Sequence, residues 1–532
     1  MPSRPVARLV AESCAGWLLF AVLSLLAGCA SAPQPQPQPA PPSHALPPAE
    51  STLLDRAVLK ELGDSSGVSG VRLVQQNPLA FAYRLDTARK AERSLDVQYY
   101  IWHDDFTGGM LAMELIRAAQ RGVRVRVLLD DLDVHDKRAF LAVADQHPNL
   151  EVRVFNPILS DNGALGIFGE LVQRGGRLNH RMHNKAWIAD NRVAIIGGRN
   201  IGDEYFGAAE GANFSDTGLV MAGPVVEEVS RQFDAYWNSA AAVPVAALAG
   251  ATASPADLDS LMRDSPDYVQ RADAAPFAAA LSDERHLAEM LARRPPPVAV
   301  RDIRVLADDP AKVGSRERGV RASRVLAGVA QVMDKASSEL LIISPYFVPG
   351  DSGADGLTAL VQRGVRVAVL TNSLAATDVV GVHAGYSQYR RDLLRGGVEL
   401  YEMKRSVGDE TGRRRISWTG SSQASLHTKA VVVDDRWVFV GSMNLDPRSV
   451  NINTEMGVLV ESPELAAQLR EQFRQSTSPD MSHSLVLDDR HGLAWRDRVD
   501  GRERTLHGEP GSTVGRRLTA FLMRLLPLES QL

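Results

Sequence analysis

Cysteine is almost absent from this sequence, since its 532 residues include only Cys14 and Cys29. Two thiols so close to the N-terminus exclude a disulfide framework, a cysteine-based zinc site and a cysteine nucleophile from the body of the chain. An excess of charge of one sign is also lacking, because 59 basic residues face 64 acidic ones for a net charge of −5. This balance argues against nucleic acid as a partner, although a local basic site stays open.

Long apolar runs are lacking as well, except near the N-terminus. Arg4 and Arg8 precede an apolar run at 15–26, which is shorter than the ~20 residues that cross a bilayer and is typical of a signal peptide. The run ends in Leu-Ala-Gly-Cys at 26–29, which resembles the lipobox of bacterial lipoproteins. We therefore expect removal of residues 1–28 and lipidation of Cys29. The alternative is a plain signal peptide or an uncleaved anchor.

A proline-rich segment follows at 29–50. It has no apolar periodicity, which predicts an extended tether between a membrane and the body of the chain. We expect the protein in a bacterial cell envelope, lipid-anchored on the periplasmic side. Ala30 and Ser31 stand where an Asp is associated with inner-membrane retention in enteric bacteria, so the sequence favours the outer membrane over the inner one.

An internal repeat organises the body of the chain. The hexapeptide Gln-Arg-Gly-Val-Arg-Val occurs at 120–125 and again at 362–367. Each copy follows a β-type run, at 94–102 or 340–348, and a helical stretch, at 109–121 or 354–363. Because the glycine ends each helix before a further strand, both copies predict a right-handed crossover between parallel strands. The repeat therefore indicates two similar α/β halves.

We place the two halves at 51–238 and 301–480. Residues 239–300 predict a linker with a packing helix near 283–293, and a third small domain is the alternative. Residues 481–532 predict a C-terminal tail with an amphipathic helix. Its apolar residues recur at i, i+3, i+4 and i+7: Leu518, Phe521, Leu522 and Leu525. We expect this helix to dock on the body, with a position at a membrane interface as the alternative.

One His-x-Lys-x4-Asp motif occurs in each half. The two motifs consist of His183, Lys185 and Asp190, and of His427, Lys429 and Asp434. The histidines are 244 positions apart, and Asn200 and Asn444 repeat at the same separation. On a β-strand residues i and i+2 face the same side, so each motif predicts an imidazole and an ammonium directed at one site. One such pair is weak evidence for a catalytic site, but two copies in register are strong evidence for one.

These motifs, each followed by an apolar strand and a Gly-Gly or Gly-Ser turn, resemble those of the phospholipase D superfamily over about residues 75–480. The resemblance implies an α/β fold of two phospholipase D-like α/β/α halves from internal duplication, with the site at their interface. It also implies phosphodiester hydrolysis or phosphatidyl transfer without a metal or other cofactor.

The resemblance implies a role for each polar side chain of the motifs. Donors to the phosphate oxygens would come from the two lysines and the two asparagines: Lys185, Lys429, Asn200 and Asn444. One histidine would attack phosphorus while the other transfers protons. The N-terminal copy often attacks in better-described relatives, which favours His183 as the nucleophile.

The likeness further implies that a carboxylate downstream of each motif orients its histidine through the second ring nitrogen. Glu455 lies 28 residues after the histidine of its half, and Asp216 lies 33 residues after the other. Glu204 and Asp203 are rivals to Asp216 because of that unequal spacing.

Separate roles are expected for several other residues. Asp190 and Asp434 are expected to brace the fold. Ser442 has no hydroxyl counterpart at Gly198, so the phosphate contacts are expected to be unequal in the two halves. Four aromatic residues are candidates for lining an acyl or headgroup cleft, with half of them expected in the core: Tyr99, Tyr100, Trp102 and Tyr346.

The blocks 94–105 and 128–132 resemble bacterial cardiolipin synthases, especially the C-type lipoproteins. That likeness implies transfer of a phosphatidyl group to phosphatidylglycerol, with phosphatidylethanolamine as another possible substrate and membrane contact through the lipid anchor. Hydrolysis as a phospholipase D or another phosphodiesterase, including a nuclease, is the alternative, because motif chemistry does not fix the acceptor. A non-catalytic envelope lipoprotein is a third hypothesis, disfavoured because every motif residue is present.

Overall fold

The computed structural model describes residues 41–49, 51–63, 67–159, 177–209, 213–248, 252–270, 284–314, 322–405, 424–488, 492–499, 502–526 and 531. The predicted signal peptide 1–28, Cys29 and the predicted tether up to residue 40 lie outside these ranges. Within them, no helix combines the length and the apolar character needed to cross a membrane.

The first half is built on a nine-stranded sheet flanked by helices. Its strands, with β7 outside the sheet, are β1 (Ser69–Val74), β2 (Ser94–Tyr99), β3 (Arg124–Asp130), β4 (Leu150–Phe155), β5 (Ala186–Ala189), β6 (Val193–Gly197), β7 (Asn213–Ser215), β8 (Gly218–Ala222), β9 (Ala242–Pro244) and β10 (Val298–Val300). Its helices are α1 (Leu53–Leu62), α2 (Asn77–Lys90), α3 (Phe106–Gln120), α4 (Asp131–Val134), α5 (Arg138–Ala144), α6 (Asp203–Phe206), α7 (Val225–Trp237), α8 (Pro255–Gln270) and α9 (Glu284–Ala292).

The second half is built on a ten-stranded sheet. Its strands, with β15 outside the sheet, are β11 (Ile303–Ala307), β12 (Glu339–Ile343), β13 (Arg366–Asn372), β14 (Glu399–Met403), β15 (Ala424–Leu426), β16 (Ala430–Val433), β17 (Trp437–Gly441), β18 (Met456–Glu461), β19 (Ser482–Asp488), β20 (Gly492–Val499) and β21 (Arg502–Leu506). Its helices are α10 (Arg324–Met333), α11 (Gly350–Gln362), α12 (Val380–Arg395), α13 (Pro447–Asn451), α14 (Pro463–Ser476) and α15 (Val514–Arg524).

The two sheets repeat one topology. The first has the strand order β10-β1-β8-β6-β5-β2-β3-β4-β9, and the second has the order β11-β18-β17-β16-β12-β13-β14-β19-β20-β21. Eight strands of each sheet therefore correspond in order, from β1 to β9 in the first sheet and from β11 to β19 in the second. The strands β2, β3 and β4 are parallel to one another, as are β12, β13 and β14, and the neighbours on either side of each group are antiparallel. This arrangement confirms the predicted α/β fold of two similar halves.

The repeated hexapeptide lies where the sequence predicts, between α3 and β3 and between α11 and β13. Gly122 and Gly364 have φ angles of 93° and 89°, a left-handed conformation that glycine adopts without steric cost. The strand pairs on either side of each crossover are parallel. The helix α3 begins three residues earlier than predicted, because Asp105 caps it by accepting a hydrogen bond from the backbone of Gly108 at 3.0 Å.

The hydrophobic core has three parts. Two clusters lie under the helices of the individual halves, around Phe81 in the first and Val329 in the second. The third joins side chains of both sheets, such as Met221 and Leu341, with those of α7 and α14. This shared cluster packs the halves into one body and fixes the edges at which the two motifs meet.

The segments outside the repeat hold more regular structure than predicted. Within 239–300, β9 and β10 add an edge strand to each end of the first sheet, and α8 accompanies α9, the predicted packing helix. Within 481–532, β19, β20 and β21 extend the second sheet before α15. The three-residue strands are too short to show an alternating pattern, and much of β20 and β21 is polar, which hides them from sequence reasoning.

The described end of the predicted tether, 41–49, lies against the first half. Ser43 accepts hydrogen bonds from Arg126 at its carbonyl oxygen and from Trp237 at its hydroxyl, both at 2.9 Å. The carbonyl oxygen of Leu46 accepts another from Asn191 at 3.0 Å. Part of the predicted tether therefore packs against the first half of the protein.

The aspartates that end the two motifs hold adjacent strands in place. Asp190 and Asp434 have φ angles of 51° and 53°, in the left-handed region that Asp tolerates better than most residues. Each carboxylate accepts three backbone N–H bonds from the chain that enters the neighbouring strand, at 2.8–3.2 Å: from Glu92, Arg93 and Ser94, or from Ser337, Ser338 and Glu339. Neither carboxylate therefore faces the site.

The internal duplication provides a matched stability test of this feature. We expect Asp190→Ala to lower the free energy of unfolding by about 2 kcal/mol, because its carboxylate is buried and its removal leaves one buried and two part-buried N–H groups unpaired. Asp434→Ala should cost less, about 1 kcal/mol, because water can reach several of its partners. The exposed neighbour provides the control, and Asp435→Ala should change the value by no more than about 0.5 kcal/mol. Urea unfolding measures all three, and equal losses for Asp190→Ala and Asp435→Ala would contradict this account.

Candidate active site

The two motifs come together between the halves. His183, Lys185, His427 and Lys429 are buried, and the backbone N–H of each histidine bonds to a carbonyl oxygen of the opposite half. The site thus contains two imidazoles and two ammonium groups from segments 244 residues apart.

The histidines and lysines were predicted to lie on strands, but the structure places them just before the strands. Each lysine directly precedes a strand, since β5 begins at Ala186 and β16 begins at Ala430. The backbone N–H of each histidine instead bonds across the interface, from His183 to Thr454 O at 2.9 Å and from His427 to Ser215 O at 2.8 Å. These bonds to the opposite half interrupt the sheet ladder and turn the motifs toward the interface.

Each histidine is paired with a carboxylate from the opposite half. His183 Nδ1 lies 2.9 Å from Glu455 Oε2, and His427 Nδ1 lies 2.7 Å from Asp216 Oδ2. The structure therefore corrects the expectation that each carboxylate orients the histidine of its own half. In both pairs Nδ1 faces the carboxylate, which leaves Nε2 free for chemistry.

Strand register explains the crossed pairing. The short strands β7 and β15 are parallel, and Leu426 pairs with Ser215, so the following Asp216 lies next to His427. A bridge between Met182 and Thr454 has the same effect in the other direction and places Glu455 beside His183. A contact between three-residue strands of different halves has no sequence pattern by which it could be found.

The rival acidic residues are engaged elsewhere. Glu204 lies 3.1 Å from Nδ1 of His103, and Asp203 accepts the backbone N–H of Thr107 at 2.8 Å. Within the described ranges, His103, Glu204 and Asp105 form a half-buried group with potential metal-ligating atoms within 4.8 Å of one another. They lie outside the paired motifs, and their mutual ion pairs account for the arrangement.

The two lysines are held in equivalent ways. Lys185 Nζ donates to the carbonyl oxygen of His183, and Lys429 Nζ donates to that of His427, each at 2.7 Å. Both residues are 1% exposed, and the neighbouring carboxylates, Glu455 and Asp216, pair with the histidines instead. Each ammonium keeps donors to offer to an anion.

The two asparagines have hydrogen-bonding capacity in reserve. Asn200 donates from Nδ2 to the hydroxyl of Tyr205 at 2.9 Å. Within the part of the chain that is described, the Oδ1 atoms of Asn200 and Asn444 are buried without a partner. Buried polar atoms are rarely left unpaired, so these two oxygens are available to accept a hydrogen bond from a ligand hydroxyl, while only the Nδ2 groups can donate to phosphate oxygens.

Ser442 and Gly198 differ for a reason other than the predicted phosphate contacts. The Ser442 hydroxyl donates to Glu455 Oε2. At Gly198 a Cβ atom would lie only 2.6 Å from Asp216 Oδ2, which leaves no room for a side chain. Asp216 is one methylene shorter than Glu455, so each half combines its turn residue with the carboxylate that fits.

Aromatic rings enclose both imidazoles. Tyr100 packs edge-on against His183 with ring centroids 5.0 Å apart, while Tyr205 and Phe214 pack against His427 at 5.3 and 5.0 Å. Of the four candidate cleft residues, Tyr99 and Trp102 instead lie in the core of the first half. Sequence reasoning missed Tyr205 and Phe214, which have no repeated counterpart among the motif residues.

Burial and charge make the two half-sites electrostatically unequal. Burial, with the cations Lys185 and Lys429, lowers the pKa of His183 well below its usual value, and burial raises the pKa of Glu455 to about 7. Burial also lowers the pKa of His427 to about 4, although Asp216 opposes this. Burial works to raise the pKa of Asp216, but the hydrogen bond and charge of His427 outweigh it and lower that pKa. An ionised Asp216 therefore favours the protonated form of His427, while Glu455, whose pKa is raised, favours the protonated form of His183 less strongly.

Comparisons with known proteins agree with this geometry. The profile of the family described as cardiolipin synthase, PLD-like domain, matches residues 85–237 and 329–477. The chain is similar to cardiolipin synthase C of Escherichia coli (strain K12), with 39% identity over 487 residues that span 90% of this chain and 99% of that protein. It is also similar to a cardiolipin synthase of Oceanobacillus iheyensis, with 23% identity over 80% of this chain and 73% of the relative.

A solved structure shows the same fold. The phosphatidylserine synthase of Haemophilus influenzae Rd KW20 superimposes with a TM-score of 0.56 at 15% identity, over 87% of this chain and 95% of that one. The two profile matches contain one motif each, and the motifs are the parts that meet at the interface. This chain therefore belongs to the cardiolipin synthase family of phospholipase D-like enzymes.

Proposed function

We propose that the protein makes cardiolipin by transferring a phosphatidyl group to phosphatidylglycerol through a phosphohistidine intermediate. The observation that carries this proposal is the presence of two complete half-sites, each with an oriented histidine and a buried lysine. The likeness to cardiolipin synthase C over nearly the whole of both chains supports the lipid substrate.

The first step transfers the phosphatidyl group to the enzyme. Nε2 of His183 attacks phosphorus, and the bond from phosphorus to the headgroup oxygen breaks as His427 donates its Nε2 proton to that oxygen. With phosphatidylglycerol as donor the leaving group is glycerol, and with phosphatidylethanolamine it is ethanolamine. The bound phosphate anion favours the protonated form of His427, which Asp216 also stabilises.

The second step reverses the roles. His427 removes a proton from a hydroxyl group of phosphatidylglycerol, and the resulting alkoxide attacks phosphorus while the bond to His183 breaks. In both steps Lys185 and Lys429, with the amides of Asn200 and Asn444, supply hydrogen bonds to the phosphate oxygens as negative charge develops there.

The charge of Lys429 predicts the alkaline limit of activity. Burial lowers its pKa to about 8 and lowers the pKa of Lys185 well below its ordinary value, so both ammonium groups lose their protons, and their hold on the phosphate, as the pH rises. We expect kcat/KM to have fallen by about pH 8, because this parameter reports the free enzyme. In Lys185→Arg with Lys429→Arg the maximum should be lower, but the decline should move to higher pH, because a guanidinium stays protonated. The exposed Lys335→Arg is the control, and an unchanged decline in the double variant would assign it to another group.

The N-terminal sequence supports the cellular location in this proposal. A lipid on Cys29 would hold the enzyme on the periplasmic side of the cell envelope, where glycerophospholipids form its surroundings. The residues that follow Cys29 favour the outer membrane.

Hydrolysis is the competing function, since water in place of the acceptor alcohol would yield phosphatidic acid by the same first step. Purified protein with vesicles of phosphatidylglycerol and phosphatidylethanolamine distinguishes the two, with the products identified by mass spectrometry. We expect cardiolipin with glycerol or ethanolamine. Phosphatidic acid without cardiolipin would refute the transferase.

A further inference from the structure

The C-terminal helix α15 exposes its apolar side. Among the described residues, thirteen large apolar side chains are exposed, and six of them lie between 514 and 526. They are 52–81% exposed: Val514, Leu518, Phe521, Leu522, Leu525 and Leu526. Single exposed apolar residues need no explanation, but a contiguous set on one helix marks an interaction surface.

The opposite side of α15 holds it to the protein, so the predicted apolar stripe does not face the body. Arg516 donates from Nε to the carbonyl oxygen of Leu374 at 3.0 Å and also bonds that of Thr377. Just before the helix, Glu509 accepts a hydrogen bond from Arg390 of α12 at 2.6 Å, and His383 lies 3.3 Å away. These polar contacts fix the helix while its apolar face stays uncovered.

The helix lies beside the active site. Thr377 follows Ala376, whose carbonyl oxygen accepts a hydrogen bond from Ser425, two residues before His427, at 3.1 Å. Beyond the helix, Gln531 accepts a bond from Asn179, four residues before His183, at 2.8 Å. It also contacts Arg448, which donates to Asn179 at 3.1 Å. The contacts of α15 and of Gln531 therefore lie next to the chain segments that carry the two histidines.

Charge around the apolar face suits an anionic surface. The segment 510–527 contains Arg516, Arg517 and Arg524 but no acidic residue. Arg517 and Arg524 are exposed and flank the apolar side chains. A short helix with apolar residues on one side and arginines beside them is typical of elements that lie in a lipid interface.

We propose that the apolar face of α15 is a membrane-docking face that seats the enzyme on an anionic phospholipid bilayer with the active site next to the headgroups. The proposal rests on the proposed function, because the site needs lipid substrates. It concerns the catalytic body and is independent of any lipid on Cys29. Headgroups at the surface could then reach the histidines while the acyl chains stay in the bilayer.

Substrate presentation provides the first test. In the full-length protein, Leu518→Glu with Leu522→Glu should lower the rate of cardiolipin formation on phosphatidylglycerol vesicles about tenfold or more. The rate on monomeric dihexanoyl phosphatidylglycerol should stay within about twofold, because the site itself is unchanged. Leu59→Glu with Leu487→Glu, which alters two exposed leucines elsewhere, should match the unmodified protein on both substrates.

The outcomes separate the two proposals. No cardiolipin from the unmodified protein on either substrate refutes the proposed function, whereas equal vesicle rates for the two double variants refute the docking face. An equal loss on both substrates for Leu518→Glu with Leu522→Glu would also refute it, since the helix would then act on the site itself.

Position in the bilayer provides the second test. A fluorophore attached at Phe521→Cys, in the full chain with Cys14→Ser and Cys29→Ser, should be quenched by lipids that carry a spin label in the acyl region. The same fluorophore at Leu487→Cys should not be. Absence of quenching at Phe521→Cys, with a dimer that Leu518→Glu and Leu522→Glu dissociate, would assign the face to a second copy of this chain instead.

Discussion

His183→Ala is expected to lower cardiolipin formation by at least about 10³-fold, and His427→Ala is expected to cause a loss of similar size, because the two imidazoles act as one catalytic unit. Removal of His183 takes away the atom that bonds to phosphorus. Removal of His427 takes away the proton that the leaving glycerol needs. Steady-state rates on phosphatidylglycerol vesicles therefore do not distinguish their roles.

An activated leaving group separates the two histidines. A phosphatidyl ester of p-nitrophenol needs no proton donor, because p-nitrophenolate is stable at neutral pH. His427→Ala should release one equivalent of p-nitrophenolate per site at a rate within about tenfold of the unmodified protein and then stall, since no base activates the acceptor. His183→Ala should release none. Mass spectrometry of the stalled His427→Ala protein should find the phosphatidyl group on His183.

The reverse pattern is equally informative. A burst in His183→Ala with the adduct on His427 would exchange the two roles. Full steady-state activity in either variant would remove the phosphohistidine mechanism altogether. Circular dichroism of each variant provides the control for folding, since both histidines lie in the packed interface.

Asp216→Asn and Glu455→Gln are each expected to lower turnover by about 10²-fold or more, because an amide in place of the carboxylate no longer fixes the productive tautomer of its histidine. The crossed pairing predicts which step each variant loses. Asp216 orients His427, the proton donor, so Asp216→Asn should keep its burst with the p-nitrophenyl substrate. Glu455 orients His183, the nucleophile, so Glu455→Gln should lose the burst.

The same measurement tests the alternative. If each carboxylate served the histidine of its own half, Glu455→Gln would keep the burst and Asp216→Asn would lose it. Asp434→Ala is a suitable control, because this motif carboxylate faces the backbone away from the site. The substitution should lower the free energy of unfolding and have little effect on the burst.

The sequence predicted the duplication because its markers are local. The hexapeptide, the glycine turns and the two motifs are each contained in a short stretch, and nearly equal spacings of 242 and 244 positions relate their copies. Local patterns of this kind can be recognised without knowledge of tertiary contacts. The two parallel crossovers and a shared site for the histidines and lysines of both motifs were predicted from them.

The relations between the halves were not predictable in the same way. Whether Asp216 serves His183 or His427 depends on the pairing of β7 with β15, two segments of three residues far apart in the chain. Gly198 looked like a missing hydroxyl, yet its role is to make room for Asp216. Such features depend on which surfaces of the two halves are in contact, and the spacing of residues within one half does not predict those contacts.

The attachment of residues 41–49 to the first half limits how far the enzyme can work from its anchor. Residue 41 lies only twelve positions after Cys29, and a fully extended chain of that length spans about 40 Å. If Cys29 carries lipid, the catalytic body is confined to a layer of about that depth and can draw substrate only from the leaflet in which it is held. The enzyme would then alter the composition of one membrane face, and its product could reach other parts of the envelope only by transport.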